Sequence, residues 1–190
     1  MSDDEIRLFF AEYIRGFMFS DVRAVIAAKA NFGAALMLLS YTEVLGGLST
    51  GDLGLDGKSR ANFEAGLRSM VWNGDAAYYS GFSVWLEESG TKKEASAYKI
   101  FRCGVVHEYF AKGLVLIHNN PDGLCIPADQ GFGWVDEAGV PRLRLHTNAY
   151  LRDFEQAFNS LESRVLVVGS ERGSFEQAVQ RLRGRRVEKK

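Results

Sequence analysis

An arginine and a histidine lie five positions apart in the segment YKIFRCGVVHEYFAKG, which covers residues 98–113. The guanidinium of Arg102 can bind a phosphate group through two hydrogen bonds, and the imidazole of His107 can exchange a proton near neutral pH. These two side chains could therefore bind a phosphate and move a proton without a metal. The pair is the candidate catalytic site.

The segment around this pair has the spacing of a helix. Tyr98, Phe101 and Val105 recur at three and four positions and predict one buried face. On an ideal α-helix, residues five apart lie about 140° apart around the axis, so Arg102 and His107 do not share one narrow face. Their tips could still meet in a groove. A two-fold homodimer would bring two copies of the pair into one cleft, and this is the predicted assembly.

The segments before this motif are predicted to form a helical bundle over residues 1–112. Ser2 and Glu5 have the spacing of a capping box, and the helix that they begin is predicted to run to about Gly16. A second, long helix is predicted from Ser20 to a stop at Gly46–Gly47. Both helices carry apolar residues at helical spacing.

The rest of the bundle contains a glycine-rich loop and a further helix. The loop is predicted over residues 49–57, and the helix after it continues to Met70. Short helical turns are predicted from Trp72 to Gly90, with their aromatic side chains in the core rather than exposed for stacking on bases. A helix is predicted from about Thr91 into the motif.

After Gly113 the pattern changes to short runs rich in β-branched and aromatic residues. The runs LVLIH, LCIPA, FGWVD and PRLRLH are separated by turn residues and predict a small antiparallel meander over residues 113–147. C-terminal helices are predicted over residues 148–184, with Thr147 or Asn148 as the cap. A basic tail covers residues 185–190. The predicted fold class is mainly α, a helical bundle with a small antiparallel β-meander before the C-terminal helices, in a single domain.

Composition narrows the classes of function. The 190 residues are 46% hydrophobic, which is typical of a folded globular protein. The net charge is -1, so any contact with nucleic acid must be a local basic patch. Cys103 and Cys125 are far apart in the chain and favour a reducing cytoplasm. The acidic start is unlike a secretory signal, and charged residues interrupt the apolar stretch 22–48, so no membrane span is predicted.

Two other histidines could be considered as metal ligands. His118 and His146 lie on predicted strands, with Cys125 between them. Their spacings match no zinc pattern, and histidines on the surface or paired across strands are the favoured interpretation. The sequence therefore predicts no metal and no cofactor.

The R-x4-H spacing of Arg102 and His107, on a late helix of an α-helical domain, resembles that of HEPN proteins. The string FRCGVVHEYF is also similar to uncharacterised bacterial families. The resemblance covers about residues 22–112. HEPN motifs commonly carry a polar residue, often Asn, after the arginine, and this chain has Cys103 there.

This resemblance implies a metal-independent endoribonuclease or an RNA- or nucleotide-phosphate-binding protein that acts as a dimer. Arg102 would bind the scissile phosphate while the 2′-hydroxyl attacks, and His107 would be the general base or acid. The competing hypothesis is a catalytically silent interaction protein. In that case Arg102 would pair with Glu43 or Glu64, and His107 would bond to a backbone carbonyl.

Overall fold

The computed structural model describes residues 1–88, 91–103, 115–118, 129–137, 139–167 and 169–184, and it is mainly helical. The helical elements are α1 (Asp3–Phe9), a first π-helical segment (Phe10–Phe19), α2 (Ser20–Ala27), α3 (Asn31–Thr50), α4 (Ser59–Ser69), a second π-helical segment (Tyr98–Cys103), α5 (Thr147–Val165) and α6 (Ser170–Gly184). The strands are β1 (Ser83–Glu88), β2 (Thr91–Ser96), β3 (Val115–His118), β4 (Phe132–Glu137) and β5 (Val140–His146). The predicted fold class, a mainly α protein with a small sheet, is confirmed.

The first helix is longer than the sequence predicts. The capping box is confirmed, since Glu5 N donates to Ser2 Oγ at 3.2 Å and Ser2 N donates to Glu5 Oε2 at 2.7 Å. The predicted end near Gly16 is wrong, because buried apolar residues continue on both sides of this glycine and keep the chain helical to Ala27. The break comes at Lys29, whose φ is 58°.

The predicted stop at Gly46–Gly47 is also wrong. Helix α3 continues to Thr50 and ends at Gly51, whose φ of 82° is the left-handed conformation that ends many helices. Gly46 and Gly47 are instead buried inside the helix, where a neighbouring segment comes close. The small size of these two glycines allows close packing against α3, and they do not end the helix.

Helices α3 and α4 touch at the level of the backbone. A Cβ atom added to Gly46 would lie 1.8 Å from the carbonyl oxygen of Asn62, and one added to Gly66 would lie 2.0 Å from that of Thr42. Real Cβ atoms cannot approach an oxygen this closely. The two glycines therefore set the distance between the helices.

Helix α3 is also long and apolar enough, by length and composition, to cross a membrane. Half of its apolar window is buried in the fold, and Leu38 and Leu39 are fully buried in the core. The helix packs against α4, α5 and α6. This packing is typical of a core helix, and the absence of a membrane span stays a prediction.

The chain between α4 and the motif forms a hairpin where helical structure was expected. The helix predicted through Met70 is confirmed as α4, and residues 71–82 form turns. The helical turns predicted from Trp72 are wrong for residues 83–88, and the predicted start of the motif helix at Thr91 is wrong, because β1 and β2 pair antiparallel. The motif helix itself is confirmed over Tyr98–Cys103, the second π-helical segment. The backbone pairing of the hairpin overrides the helix propensity of the run TKKEAS.

The second sheet has the strand order β3-β5-β4. Strands β4 and β5 form the predicted antiparallel hairpin, with Gly139 at φ 82° in the turn. Strand β3 pairs parallel to β5, so the prediction of a wholly antiparallel arrangement is wrong for this strand. The long connection from β3 to β5 makes the parallel pairing feasible. The predicted strand LCIPA lies outside the described residues.

The C-terminal helices occupy the predicted region. The cap of α5 is His146 rather than Thr147 or Asn148, since Ala149 N donates to His146 Nδ1 at 3.2 Å. The basic tail, residues 185–190, lies outside the described residues. One cluster of buried apolar side chains includes Ile6 of α1 and Phe158 of α5 together with residues of α3, α4, both sheets and α6.

A buried polar network joins the turn region to α5. Tyr79 Oη donates to Asp153 Oδ2 at 2.5 Å, and Arg152 Nε donates to Asp153 Oδ1 at 2.7 Å. One step away, Tyr150 Oη and Thr42 Oγ1 are 2.7 Å apart, which links α5 to α3. Burial raises the pKa of the Asp153 carboxyl, and the bonds from Tyr79 and Arg152 oppose this rise only in part.

We expect Gly46→Ala and Gly66→Ala each to destabilise the fold by about 3 kcal/mol or more, because the added methyl group forces α3 and α4 apart. Urea unfolding measures the change. Gly173→Ala in α6 is the matched control: its Cβ meets nothing within 4 Å, and it should stabilise the helix by up to about 1 kcal/mol. Equal effects at Gly46 and Gly173 would contradict the close packing.

Asp153 should make the fold less stable as pH rises. Its folded-state pKa is raised, so the folded chain holds the proton more tightly than the unfolded chain. The free energy of unfolding therefore falls as pH increases from the ordinary value of 3.8 through the raised pKa. Asp153→Asn, which cannot ionise, should lack this fall in urea unfolding at a series of pH values.

Asp56→Asn, at an exposed loop position, is the control for that series and should keep the pH dependence of the parent. The parent could instead gain stability relative to Asp153→Asn as pH rises. In that case the bonds from Tyr79 and Arg152 lower the pKa of Asp153 more than burial raises it, and the raised pKa is wrong.

Candidate functional site

The two residues predicted to be catalytic differ in what the structure describes of them. Arg102 belongs to the second π-helical segment, while His107 lies outside the described residues. A π-helix bonds residues five apart, so that Tyr98 and Cys103 fall on the same side of this segment. The separation of about 140° between Arg102 and His107 is that of an ideal α-helix, and it stays a prediction because residues 104–107 lie outside the described residues.

One partner named in the competing hypothesis is engaged elsewhere. Glu64 Oε1 accepts a hydrogen bond from Arg60 Nε at 2.8 Å, four positions before it on α4. Glu43 is half-buried on α3. The pairing of Arg102 with either carboxylate stays a prediction.

The two strand histidines are confirmed as a cross-strand pair. His118 ends β3, His146 ends β5, and their Cα atoms are register partners. His146 is buried and accepts at Nδ1 as the cap of α5. Cys125 lies outside the described residues. Among the residues that are described, no group of three His, Cys, Asp or Glu side chains is arranged to hold a metal ion.

A polar groove of about 580 Å³ opens beside the segment that carries Arg102. This volume is within the range of small-ligand sites, roughly 300–1,000 Å³. Two cations, one carboxylate, two aromatic rings and several small residues line it. We define the polar groove by its lining residues: Arg60, Ser80, Gly81, Phe82, Ser83, Glu94, Ser96, Tyr98 and Lys99.

Three elements bring these residues together. Arg60 stands in the first turn of α4, and Lys99 stands at the start of the second π-helical segment. Ser83 and Ser96 are register partners at the open end of the β1–β2 hairpin. The β1–β2 hairpin therefore brings the chain back to α4 immediately before the motif. The polar groove lies where these segments meet.

The charges of the polar groove are of both signs. The bond and the charge of Glu64 raise the pKa of Arg60, so this side chain stays cationic. Glu94 Oε1 accepts from Ser83 Oγ at 2.5 Å. The Arg60–Glu64 pair is on the surface, with the Arg60 side chain 67% exposed. Solvent and salt screen such exposed pairs, which contribute little to stability, so an anionic ligand can compete for the guanidinium.

A second groove, of about 390 Å³, meets the first. Aromatic rings line it: Tyr78 and Phe82 lie 5.4 Å apart between ring centroids, and the Trp134 side chain is 46% exposed. We define the aromatic groove by its lining residues: Asp75, Ala77, Tyr78, Gly81, Phe82, Ser83 and Trp134. Gly81, Phe82 and Ser83 line both grooves, so the two are continuous.

The sequence analysis missed most of these groove residues. Lys99 is three positions before Arg102, and this closeness was the available signal. Arg60 and Glu94 are brought together by a hairpin where a helix was expected. Trp134 lies two residues after the fully buried Phe132, so the two residues share one face of β4. The two-residue repeat of a strand alone therefore predicts burial for both. Trp134 lies on the edge strand β4 and is nevertheless exposed, whereas Phe132 is not.

Of the aromatic residues predicted to lie in the core, Tyr79 confirms the prediction, Trp72 and Tyr78 pack against the core, and the side chain of Trp85 lies outside the described residues. Tyr79 is fully buried, and Tyr78 and Trp72 are half-buried with ring centroids 4.6 Å apart.

Comparison with protein-family models, curated proteins and solved structures finds no match to this chain. The likeness to HEPN proteins therefore stays a prediction.

Proposed function

We propose that this protein binds RNA through a phosphate group in the polar groove and cleaves it as a metal-independent endoribonuclease of HEPN type. One observation carries the proposal: Arg60 and Lys99 line the same open groove, at the start of the segment that holds Arg102. The net charge of the chain is -1, so a local site of this kind is what RNA binding requires.

The binding step follows from the chemistry of the groove. A guanidinium and an ammonium can both donate to phosphate oxygens, and hydrogen bonds between charged groups are the stronger kind. The Tyr98 ring is held against Phe63, with 5.6 Å between their centroids. A phosphate bound by Arg60 and Lys99 would therefore have an oriented ring beside it.

The proposed reaction needs no metal. The 2′-hydroxyl oxygen attacks phosphorus, the bond from phosphorus to the 5′-oxygen breaks, and the products are a 2′,3′-cyclic phosphate and a 5′-hydroxyl. Arg102 stabilises the charge on the phosphate, and His107 takes the hydroxyl proton or protonates the leaving oxygen. DNA has no 2′-hydroxyl, so RNA is the substrate.

The proposal includes a homodimer in the cytoplasm. Two copies of the motif in one cleft would supply two arginines for binding and two histidines for proton transfer. Cys103 and Cys125, which are far apart in the sequence, fit a reducing compartment.

A second candidate function is an interaction protein without catalytic activity. An apolar groove of about 420 Å³ between the first π-helical segment, α3 and α6 favours it. Tyr13 and Phe17 line this groove with side chains 56% and 57% exposed. Large exposed aromatic side chains are enriched at protein interfaces.

We expect the purified protein to cut a fluorescent mixed-sequence RNA in EDTA. We expect Arg102→Ala, which loses charge stabilisation, and His107→Ala, which loses the general acid–base group, each to lose at least about 100-fold in rate. Circular dichroism must show both variants folded. His118→Ala, a histidine outside the motif, is the control and should cut like the parent. A parent without activity, or an active His107→Ala, would favour the interaction protein.

Charge changes in the polar groove should move RNA affinity in opposite directions. Two charges 4 Å apart in water interact by about 1 kcal/mol, so Lys99→Gln should weaken binding about fivefold and Glu94→Gln should strengthen it by a similar factor. Fluorescence anisotropy in EDTA and low salt measures both changes, with a labelled RNA methylated at its 2′-oxygens so that the protein cannot cut it.

Lys58→Gln is the matched control for that experiment. Lys58 precedes α4, pairs with Asp52 at 3.0 Å and does not line the groove. A loss at Lys58 as large as at Lys99, with no gain at Glu94→Gln, would show general charge attraction and would contradict a site in the groove.

A further inference from the structure

The polar and aromatic grooves share residues 81–83 and differ in the charges of their other lining residues. On one side Arg60 and Lys99 provide the positive charge. On the other side, the described lining residues include no lysine or arginine, and Asp75 is the one charged residue among them. A carboxylate repels phosphate, so the phosphate is favoured on the polar side and a ring on the aromatic side.

Trp134 gives the aromatic groove an accessible ring. Its side chain is 46% exposed on the edge strand β4, whereas the neighbouring Phe132 on the same face is fully buried. The rings beside it are fixed: Tyr78 Oη donates to the carbonyl oxygen of Phe132, and Tyr78 packs edge-on against Phe82 at 79°. An exposed indole beside two oriented rings is an arrangement on which a nucleobase can stack.

We infer that the aromatic groove is a base-binding subsite, in which Trp134 stacks on an unpaired base of the strand whose phosphate occupies the polar groove. The substrate class is then single-stranded RNA. This inference rests on the proposed function, because the phosphate in the polar groove fixes the strand beside Trp134.

Duplex RNA does not fit this arrangement. In a duplex the bases stack on one another, and recognition uses phosphates and 2′-hydroxyls, whereas unpaired bases can turn outward onto aromatic side chains. Stacking accepts every base, since each has a π-face, so little sequence preference is expected from this subsite. Strand state rather than sequence should decide binding.

The test is fluorescence anisotropy in EDTA with a labelled single-stranded RNA and the matching duplex, both methylated at the 2′-oxygens so that no 2′-hydroxyl can attack and neither is cut. The parent should bind the single strand more tightly. Trp134→Ala should weaken single-strand binding about 5- to 150-fold, which corresponds to ~1–3 kcal/mol for one stacked base. Trp134→Phe keeps a ring and should stay within about threefold of the parent. Val167→Ala, at an exposed apolar position between α5 and α6, is the surface control.

Tryptophan emission gives a second measurement that a purely structural role would not change. Bound single-stranded RNA should quench the parent, and Trp134→Phe should lose that part of the quenching while it still binds. If Lys99→Gln weakens binding but Trp134→Ala does not, the phosphate site stands and the base subsite is overturned. If the parent binds no RNA, both are overturned. Equal binding of duplex and single strand overturns the subsite alone.

Discussion

The contact between α3 and α4 is the constraint on which the rest of the structure depends. Gly46 and Gly66 let the two backbones meet, and any side chain at either position would overlap a carbonyl oxygen of the other helix. Because α4 is held in this way, Arg60 in its first turn has a fixed position, and Phe63 supports the ring of Tyr98. A tightly packed glycine pair thus positions a groove that neither glycine lines.

The buried network around Asp153 does the same for the aromatic side of the site. Tyr79 bonds to this carboxylate, and Tyr78, the next residue, bonds to the backbone of β4. Burial raises the pKa of the Tyr79 phenol, so it stays protonated and continues to donate. The turn that separates the two grooves is therefore anchored to both α5 and the sheet. The buried network around Asp153 is unfavourable for stability, and it orders the turn beside the exposed ring of Trp134.

Local signals in the sequence were sufficient for much of the fold. The Ser2–Glu5 box, the apolar repeat of α4 and the turn before β5 depend on neighbours within a few residues, and these predictions are confirmed. The prediction failed where distant contacts decide: Gly46–Gly47 resembles a helix stop until α4 packs against it. Similarly, the run TKKEAS favours a helix until β1 pairs with it. Arg60, Lys99 and Trp134 form one site only through these contacts, whereas Arg102 and His107 came from spacing and stay predictions.

The most direct test of the account is photocrosslinking of a single-stranded RNA that carries 4-thiouridine, with the attached residues identified by mass spectrometry. We expect adducts in the polar and aromatic grooves, at Tyr98, Phe82 or Trp134. These adducts should be lost when the same RNA is annealed to its complement. Adducts confined to Tyr13 and Phe17, or adducts that persist in the duplex, would contradict the account.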